Sequence, residues 1–462
     1  MTPDAMGPAV VLSGLKPGGG SPLSLANKLA DLSAEFAGLV AGDEGALIRV
    51  GLEHEYRVLV SGRQVDFGAL IHGLSLGVRH LDPADPNAYW LPSGAAITCD
   101  GKEAEVALPP TTLRPGFVHS VQTRSEASQQ RLAALLPPGL VMEGYSTHVS
   151  VSTPAELCER VALIYVRRFA PALMLLMNGL QTPGLLVRPR PGRTELCGEF
   201  VEQPWLGAAV AFAVGSTAAC VQAINGATPT DTALPPEIDI EPEPARVRYG
   251  WYVDRRAFGV DLHRDGRETQ LRLVGGATIG AQRHLELAWE SARTALRDIA
   301  SAGDLAVVDQ MIAKELPLPA ESRAGADIES ASTPDAKSLA HGDARRPRWR
   351  PGFELAPVMI TWNVTAFLLV DTARRRRAFV CVPSPNARRF LLRLLHGELD
   401  DVLNAYLRLA PTGRRLDYPD QTKSPGIYDD LAPRRWLLPL EIDPHPRAVS
   451  DQRSAQQEVA AS

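Results

Sequence analysis

The chain has 462 residues and 45% of them are hydrophobic, which is enough to bury at least one large core. Its formal net charge of −5 gives no global reason to expect binding to nucleic acid or to an anionic membrane. The five cysteines, Cys99, Cys158, Cys197, Cys220 and Cys381, are widely spaced and form no CxxC pair. This argues against a disulfide framework or a structural zinc site and favours a reducing cytoplasm. No basic segment followed by an apolar run opens the chain, so no secretory signal is expected.

The first part of the chain is predicted to mix strands and helices after a disordered arm at residues 1–22. Helices are predicted over residues 25–40, 117–136, 155–178, 204–224 and 281–300. Strands are predicted over residues 46–60, 87–108 and 140–152, with a bent strand pair over 185–201 and a hairpin over 257–274 around residues 264–266. The helix that starts at Pro204 is long and apolar, but its Ala, Gly, Ser and Thr content favours a buried core helix over a membrane span.

The composition changes after residue 316. Residues 317–352 are rich in small and polar residues and are predicted to be a linker. Residues 353–446 form a small predicted α+β segment, with a hairpin from strands 359–370 and 378–382 around residues 374–377, and a helix over 386–409. A disordered tail is predicted over 447–462. Because many strands are joined by short turns, the sheet is predicted to be largely antiparallel with flanking helices, which makes the fold α+β. The sequence has no GxGxxG after a predicted strand and no GxxxxGK[ST]. A Rossmann or P-loop fold is therefore not indicated.

Two pairs of acidic residues stand two positions apart on predicted strands. Glu53 and Glu55 project from one face of their strand, and Glu103 and Glu105 share a face just before a double proline. Carboxylates held close together repel one another unless a cation lies between them, and oxygen ligands of this kind suit Mg²⁺ or Mn²⁺. Taken alone, each pair fits a solvated sheet face or an exposed hairpin equally well.

Polar residues also share one face of the strand at residues 140–152. Ser146, His148, Ser150 and Ser152 alternate with Thr147, Val149 and Val151, so short side chains leave room for a ligand beside His148. His148 is a candidate to bind a metal or a phosphate oxygen. The alternative is a hydrogen-bonded surface histidine.

Two arginine-rich segments follow. Arg188, Arg190 and Arg193 lead into Glu195, a further candidate metal ligand, and Arg255 and Arg256 precede Phe258 and Gly259. Guanidinium groups suit the recognition of phosphate and carboxylate groups. The alternative readings are a basic loop and a surface pair that covers aromatic residues.

The order of these features resembles the bacterial and plant-type glutamate–cysteine ligases, within the glutamine synthetase-like carboxylate–amine ligases. Three motifs of that family have counterparts here: Gly-x-Glu-x-Glu at Gly51, Glu53 and Glu55; the acidic strand at Glu105, Val106 and Pro109; and the histidine strand at residues 146–151. A fourth, Arg-x-x-Arg-x-Gly, is similar to residues 254–259. The resemblance covers roughly residues 48–300. It departs at Ser150, where the family has a second His, at Cys197, where it has Arg, and at the adjacent Arg255 and Arg256.

The resemblance implies an ATP-dependent carboxylate–amine ligase that forms an amide of the γ-glutamyl type through an acyl phosphate. It places a catalytic domain at residues 23–316 and assigns each candidate residue a role. The implied metal ligands for Mg²⁺ or Mn²⁺ are Glu53, Glu55, Glu105, His148 and Glu195. The implied ATP-binding residues are His148, Ser150 and Arg256, and the implied catalytic residues are Arg193, Arg255 and Arg256.

By the same analogy, the substrates are a small carboxylate, glutamate by default, and an amine or amino acid. Neither nucleic acid nor a membrane is expected as a partner. Two alternatives stay open: a degenerate homologue that binds nucleotide or a partner without turnover, which the residues at 150 and 197 favour, and a related phosphotransferase.

Overall fold

The structure is a computed structural model, and the residues it describes fall in several ranges. They are 48–74, 78–79, 88–90, 95–179, 182–226, 238–240, 245–322, 348–350, 353–360, 362, 364–371, 376–383, 387 and 390. The chain divides into two compact units: Gly42–Arg79 with Asp85–Gly342, and Met1–Ala41 with His80–Ala84 and Asp343–Ser462. The predicted arm, the helix at 25–40 and the tail at 447–462 lie outside the described residues. The predicted domain boundaries stay predictions.

Among the described residues, the larger unit contains a sheet of 12 strands. The strands are β1 (Arg49–Val60), β2 (Arg63–Val65), β3 (Val78–Arg79), β4 (Tyr89–Trp90), β5 (Ala96–Asp100), β6 (Glu103–Ala107), β7 (Thr111–Thr112), β8 (Leu140–Ser152), β9 (Gly184–Arg190), β10 (Arg193–Glu199), β11 (Ala245–Val247) and β12 (Gly250–Asp254). Their order is β11-β12-β9-β10-β8-β1-β6-β5-β4-β3, with β2 and β7 also paired to β1. All of these pairs are antiparallel, which confirms the predicted antiparallel sheet.

Helices flank this sheet and complete the α+β fold. They are α1 (Phe67–Leu70), α2 (Phe117–Ala133), α3 (Cys158–Arg168), α4 (Ala170–Met177), α5 (Trp205–Asn225), α6 (Leu262–Asp265), α7 (Ala281–Ala295), α8 (Ala302–Ile312) and α9 (Pro319–Ser322). Helix α8 was not predicted from the sequence. It begins with a capping box in which Ser301 and Asp304 bond to each other's backbone N–H groups.

The alternation of side chains along β1 and β8 decides which face of the sheet is buried. Val50, Leu52 and Val58 of β1 lie in the core, as do Val149 and Val151 of β8. The residues between them point to the opposite face, because successive side chains of a strand alternate. This confirms the predicted split of β8 into a polar face and an apolar face.

Helix α5 is long and apolar enough to cross a membrane, but 72% of its most apolar window is buried inside the protein. A Cβ added at Gly215 would lie 2.6 Å from the carbonyl oxygen of Ala292 in α7, so the two helices approach closely there. The small residues that the sequence supplies are therefore used for helix packing. Helix α5 is therefore mostly buried in the core, as the sequence predicts.

The helix predicted over residues 155–178 is interrupted. A short 3-10 turn at Ala155–Leu157 precedes α3, and α3 and α4 meet at Phe169. Thr153 does not cap this segment: its hydroxyl donates to the Val151 carbonyl oxygen and lies 3.0 Å from the hydroxyl of Thr194. Phe169 and the following Pro171 mark the break, because a proline removes a backbone N–H from the helix.

The hairpin predicted over residues 257–274 is wrong. Asp261 caps α6 by accepting hydrogen bonds from the backbone N–H groups of His263 and Arg264, so residues 262–265 are helical. The actual hairpin joins β13 (Gln270–Arg272) to β14 (Thr278–Gly280). Gly275 and Gly276, both with positive φ, make its turn.

The second unit contains a four-stranded antiparallel sheet among its described residues, in the order β15 (Arg348–Arg350), β16 (Phe353–Ile360), β17 (Val364–Asp371) and β18 (Arg376–Pro383). The predicted hairpin around residues 374–377 corresponds to β17 and β18, whose register pairs Asp371 with Arg376. The predicted strand 359–370 is instead two strands. Of the predicted helix 386–409, only Ala387 and Phe390 are described, and both are helical.

Two buried histidines should make the stability of the larger unit depend on pH. Burial lowers the pKa of His54 to about 3 and that of His284 to about 4, in each case from an ordinary value of 6.5. Each folded-state pKa lies below the unfolded one, so the stabilisation is complete above pH 6.5 and is lost as the pH falls toward the folded value. When the pH falls from 7 to 5, each histidine should lower the free energy of unfolding by about 2 kcal/mol.

We therefore expect the free energy of unfolding of His284→Gln to depend less on pH than that of the wild type. Urea unfolding at pH 7 and pH 5 measures this difference. The matched control is His119→Gln, which changes an exposed histidine on α2 and should leave the wild-type pH dependence in place. Equal pH slopes for all three proteins would contradict the role of His284.

Candidate functional site

The candidate residues meet on the polar face of the sheet because the strands that carry them are neighbours. Glu53 of β1 is paired in register with His148 of β8, which is paired with Cys197 of β10. One step along the sheet, Glu55 is paired with both Ser146 and Glu105. Segments far apart in the sequence thus form adjacent rows.

Glu53, His148 and Glu195 form the first cluster, here called cluster A. One ligand atom from each lies within 4.8 Å of the others, a spacing that can hold a metal ion. The His148 Nδ1 atom lies 3.4 Å from Glu53 Oε2. Glu195 is buried and is held by two arginines, whose Nε atoms lie 2.6 Å (Arg188) and 3.2 Å (Arg190) from its Oε2.

The electrostatics of cluster A favour a charged carboxylate next to a protonated imidazole. Burial raises the pKa of Glu53, but the hydrogen bond and charge of His148, with the charges of Arg193 and Arg188, hold that pKa below its ordinary value. Burial lowers the pKa of His148, but Glu53 and Glu55 outweigh it and raise that pKa. Glu53 and His148 thus each stabilise the charged form of the other.

Glu55, Asp100 and Glu105 form the second cluster, here called cluster B. Their nearest carboxylate oxygens also lie within 4.8 Å of one another. Ser146 Oγ donates a 2.5 Å hydrogen bond to Glu55 Oε2. Burial, together with the charges of Asp100 and Glu103, raises the pKa of Glu55 although His148 and Ser146 act in the opposite direction. Crowded carboxylates of this kind are relieved by a cation.

A cleft of about 990 Å³ opens over these rows. Among the charged residues that line it, six acids outnumber two arginines. The acids are Glu55, Asp100, Glu103, Glu143, Glu199 and Glu202, and the arginines are Arg57 and Arg188. The acidic lining gives the cleft a negative potential that attracts cations.

One end of the cleft is fixed by Glu199, at the end of β10. Its Oε2 accepts hydrogen bonds from the backbone N–H of Gly179, at 2.5 Å, and from the Thr182 hydroxyl. The backbone N–H of Glu199 donates to Asn178 Oδ1. These bonds hold the described residues on both sides of positions 180–181 against the sheet.

The three predicted catalytic arginines lie in different places. Arg193 belongs to β10, beside Glu53, whose pKa its charge helps to lower. Arg255 is bound to Asp261 at 3.0 Å, and Arg256 lies 3.7 Å from the same carboxylate with its side chain 73% exposed. Neither Arg255 nor Arg256 belongs to the residues that line the cleft. Their catalytic and ATP-binding roles stay predictions.

Ser150, predicted to bind the nucleotide, lies on the polar face opposite Glu195. Its side-chain oxygen is buried and has no hydrogen-bond partner within the part of the chain that the structure describes. A buried hydroxyl without a partner costs free energy unless a ligand or water satisfies it. The position suits a ligand that supplies an oxygen or a metal-bound water.

Two residues of the site, Asp100 and Glu199, were not selected from the sequence. Asp100 lies at the end of β5, where its pairing with Glu103 brings it to cluster B. Arg188 was named only as one of three arginines suited to phosphate or carboxylate groups. The period of two along β9 and β10 would have placed Arg188 and Glu199 on the site face once the strand pairing was known.

The donor sets fit divalent metal ions. Cluster A offers two carboxylates and one imidazole, and cluster B offers three carboxylates. Oxygen-rich sets with at most one nitrogen suit Mg²⁺ and Mn²⁺ better than softer metals. All five predicted metal ligands belong to these clusters, although their binding of an ion stays a prediction.

Comparison with known proteins gives a partial likeness. No protein-family model and no curated protein matches the chain. Among solved structures, it is similar to the complex between the prokaryotic ubiquitin-like protein Pup and its ligase PafA, with 14% identity and a TM-score of 0.33 over 59% of this chain and 64% of that chain. It is also similar to the Pup ligase PafA in complex with ADP, with 13% identity and a TM-score of 0.28 over 50% of this chain and 60% of that chain.

The chain therefore spans less than two thirds of the length of either structure. At TM-scores of this size, the likeness decides neither the activity nor the substrate of this chain. Membership of the glutamate–cysteine ligase family is not shown and stays a hypothesis. The proposals below depend on the side chains that line the cleft.

Proposed function

We propose that the cleft belongs to an enzyme that handles phosphate groups with the help of divalent metal ions. One observation carries this proposal: clusters A and B lie side by side on one sheet face, and His148, Glu55 and Asp100 of these clusters line an open cleft. Within that class, the order of motifs along the chain favours an ATP-dependent carboxylate–amine ligase.

The proposed reaction has two steps. A carboxylate oxygen of the acid attacks the γ-phosphorus of ATP, and the bond between that phosphorus and the ADP oxygen breaks. The acid is now an acyl phosphate, and ADP is the leaving group. An amine nitrogen then attacks the acyl carbon, the bond from that carbon to the phosphate oxygen breaks, and inorganic phosphate leaves. A neutral amine loses one proton to the phosphate or to solvent in this step, and an amine that binds in its ammonium form first releases one further proton to solvent. The product is an amide.

Divalent ions supply charge neutralisation of the phosphates in reactions of this kind. Glu53, His148 and Glu195 would hold one ion, and Glu55, Asp100 and Glu105 would hold another. Ser146 fixes the orientation of Glu55 through its 2.5 Å hydrogen bond. His148 lies between Glu53 and Glu55 and keeps the two carboxylates apart.

The acid is proposed to be a small carboxylate, glutamate by resemblance, and the second substrate an amine or amino acid. The acidic lining of the cleft agrees with an amine that arrives protonated. It also agrees with the need for metal ions before an anionic acid and ATP can approach one another.

A turnover screen tests the proposed function. Purified protein with Mg²⁺ and ATP is supplied with carboxylic acids alone, amines alone and both together, and the release of ADP and phosphate is followed. Release of phosphate that requires both substrates is expected for the ligase. Phosphate transfer to a single substrate would replace the ligase with a phosphotransferase, and no turnover with retained ATP binding would indicate the degenerate homologue.

The two clusters predict two metal ions per chain. We expect Mn²⁺ titration, followed by electron paramagnetic resonance, to give two sites in the wild type and one site in Glu105→Gln, because cluster B loses the charge of one of its three carboxylates. Glu103→Gln is the matched control on the same strand, and it should keep both sites because Glu103 belongs to neither cluster. An equal site count in Glu105→Gln and the wild type would contradict cluster B as a metal site.

A further inference from the structure

The strand pairing brings an arginine from β9 into the site. Arg188 is paired in register with Glu195, and its Nε lies 2.6 Å from Glu195 Oε2. Its side chain is 16% exposed and lines the cleft. Arg190, on the same strand, bonds to the same carboxylate, but its side chain is 42% exposed and it does not line the cleft.

The small side chain of Cys197 lies beside this arginine. Cys197 lines the cleft and is paired in register with His148 on one side and Leu186 on the other. Burial and the charge of Glu195 raise the pKa of the Cys197 thiol, and the positive charge of Arg188 opposes that rise. Arg188 is paired with Glu195, two residues before Cys197 on β10, so Arg188 and Cys197 lie on the same face of the sheet. Cys197 is the position where the family pattern has an arginine.

The other arginine that lines the cleft is already engaged. Arg57 lies 3.7 Å from Glu143 and 4.4 Å from the centre of the Tyr145 ring. Arg188 also has a partner, but the contact with Glu195 involves its Nε, and a guanidinium group carries further N–H donors that an anion can meet. Among the described residues that line the cleft, Arg188 is thus the arginine best placed to meet an anion at cluster A.

We propose that Arg188 binds a phosphate group of the nucleotide, in place of the arginine that the family pattern puts at position 197. Cys197 and Arg188 both line the cleft, and a cysteine side chain occupies less of it than an arginine would. This inference rests on the proposed function. It adds a phosphate-binding residue, supplied by the neighbouring strand, that the motif order does not indicate.

The proposal has a signature that a purely structural role of Arg188 does not share. Removing its positive charge from beside Glu53 and Glu195 strengthens the attraction of cluster A for a divalent ion alone. The same change removes a charged hydrogen-bond donor from the phosphate and weakens nucleotide binding. The two affinities should therefore move in opposite directions, whereas local disorder would weaken both.

The test measures the binding of Mn²⁺ alone, and then of ATP and of ADP in the presence of Mn²⁺, by calorimetry. The proteins compared are the wild type, Arg188→Ala, the matched control Arg190→Ala, and the double variant Arg188→Ala with Cys197→Arg. For Arg188→Ala, we expect Mn²⁺ alone to bind about threefold more tightly. ATP should bind about 10- to 100-fold more weakly, in proportion to one lost charged hydrogen bond.

Arg190→Ala should bind ATP within about twofold of the wild type, and the double variant should recover most of the lost ATP affinity. If only the affinity for ATP falls, Arg188 binds the γ-phosphate. If the affinity for ADP falls equally, Arg188 binds the α- or β-phosphate. Unchanged ATP and ADP binding in Arg188→Ala, or weaker Mn²⁺ binding, overturns the inference. If the wild type itself binds neither nucleotide, the proposed function fails, which is a separate and distinguishable result.

Discussion

The variant Glu53→Gln should lose ATP-dependent ligation while it keeps its fold. Glutamine has nearly the same shape as glutamate but carries no charge, so cluster A loses one of its two carboxylates. We expect the turnover rate to fall by about 10²–10³-fold, the size of effect seen when one charge-stabilising group is removed from an active site. Steady-state release of phosphate in the presence of both substrates measures it.

Metal binding gives the physical reason for that loss. Affinity for Mn²⁺ at cluster A should fall by about 100-fold or more, since even residues outside the ligand shell contribute 10- to 100-fold. The thermal midpoint should stay within a few degrees of the wild type. Glu159→Gln changes an exposed acid on α3 that pairs with Arg246, and it should alter neither quantity. A Glu53→Gln protein that turns over at the wild-type rate would end the metal-site proposal.

The largest loss of stability should follow from Asp304→Ala. This carboxylate is 3% exposed and accepts hydrogen bonds from the backbone N–H groups of Gly116 and Val118, at 2.7 and 3.0 Å, and from both the backbone and the hydroxyl of Ser301. It therefore caps its own helix α8 and also the start of α2. Alanine would leave these donors without their acceptor, at a cost of about 3–5 kcal/mol.

Urea unfolding of the larger unit measures this cost. The matched control is Asp309→Ala, on the same helix, whose side chain is 41% exposed and bonds to Trp289 and Arg293. Its loss should cost about 1 kcal/mol or less, because water can replace an exposed partner. Equal losses for the two variants would show that Asp304 does not join α8 to α2.

The bounds of the strands and helices show where local sequence signals suffice to predict an element and where they do not. Strand β8 begins and ends where its alternation predicts, at Leu140 and Ser152. The segment at residues 257–274 was misread because Asp261 was not recognised as a helix cap, although a side-chain acceptor of this kind is a local signal. The break at Phe169 was missed although Pro171, two residues later, is a local signal that a helix is interrupted.

The sequence by itself determined which residues face which side of each strand. The period of two places Glu53 with Glu55, and His148 with Ser146 and Ser150, whatever the neighbours of the strand are. It also determined the antiparallel character of the sheet, through short turns between strands. The set of five metal ligands came from the family resemblance, and the period of two agrees with their position on one face of the sheet.

Only the tertiary structure decided which strands are neighbours and in what register they pair. Cluster A forms because β1 pairs with β8 and β8 pairs with β10, and cluster B forms because β1 pairs with β6. Pairing between such distant strands depends on the burial of the whole apolar face against helices such as α5, which no local pattern encodes. Arg255 and Arg256 lie at Asp261, a neighbour in the sequence, among residues that do not line the cleft.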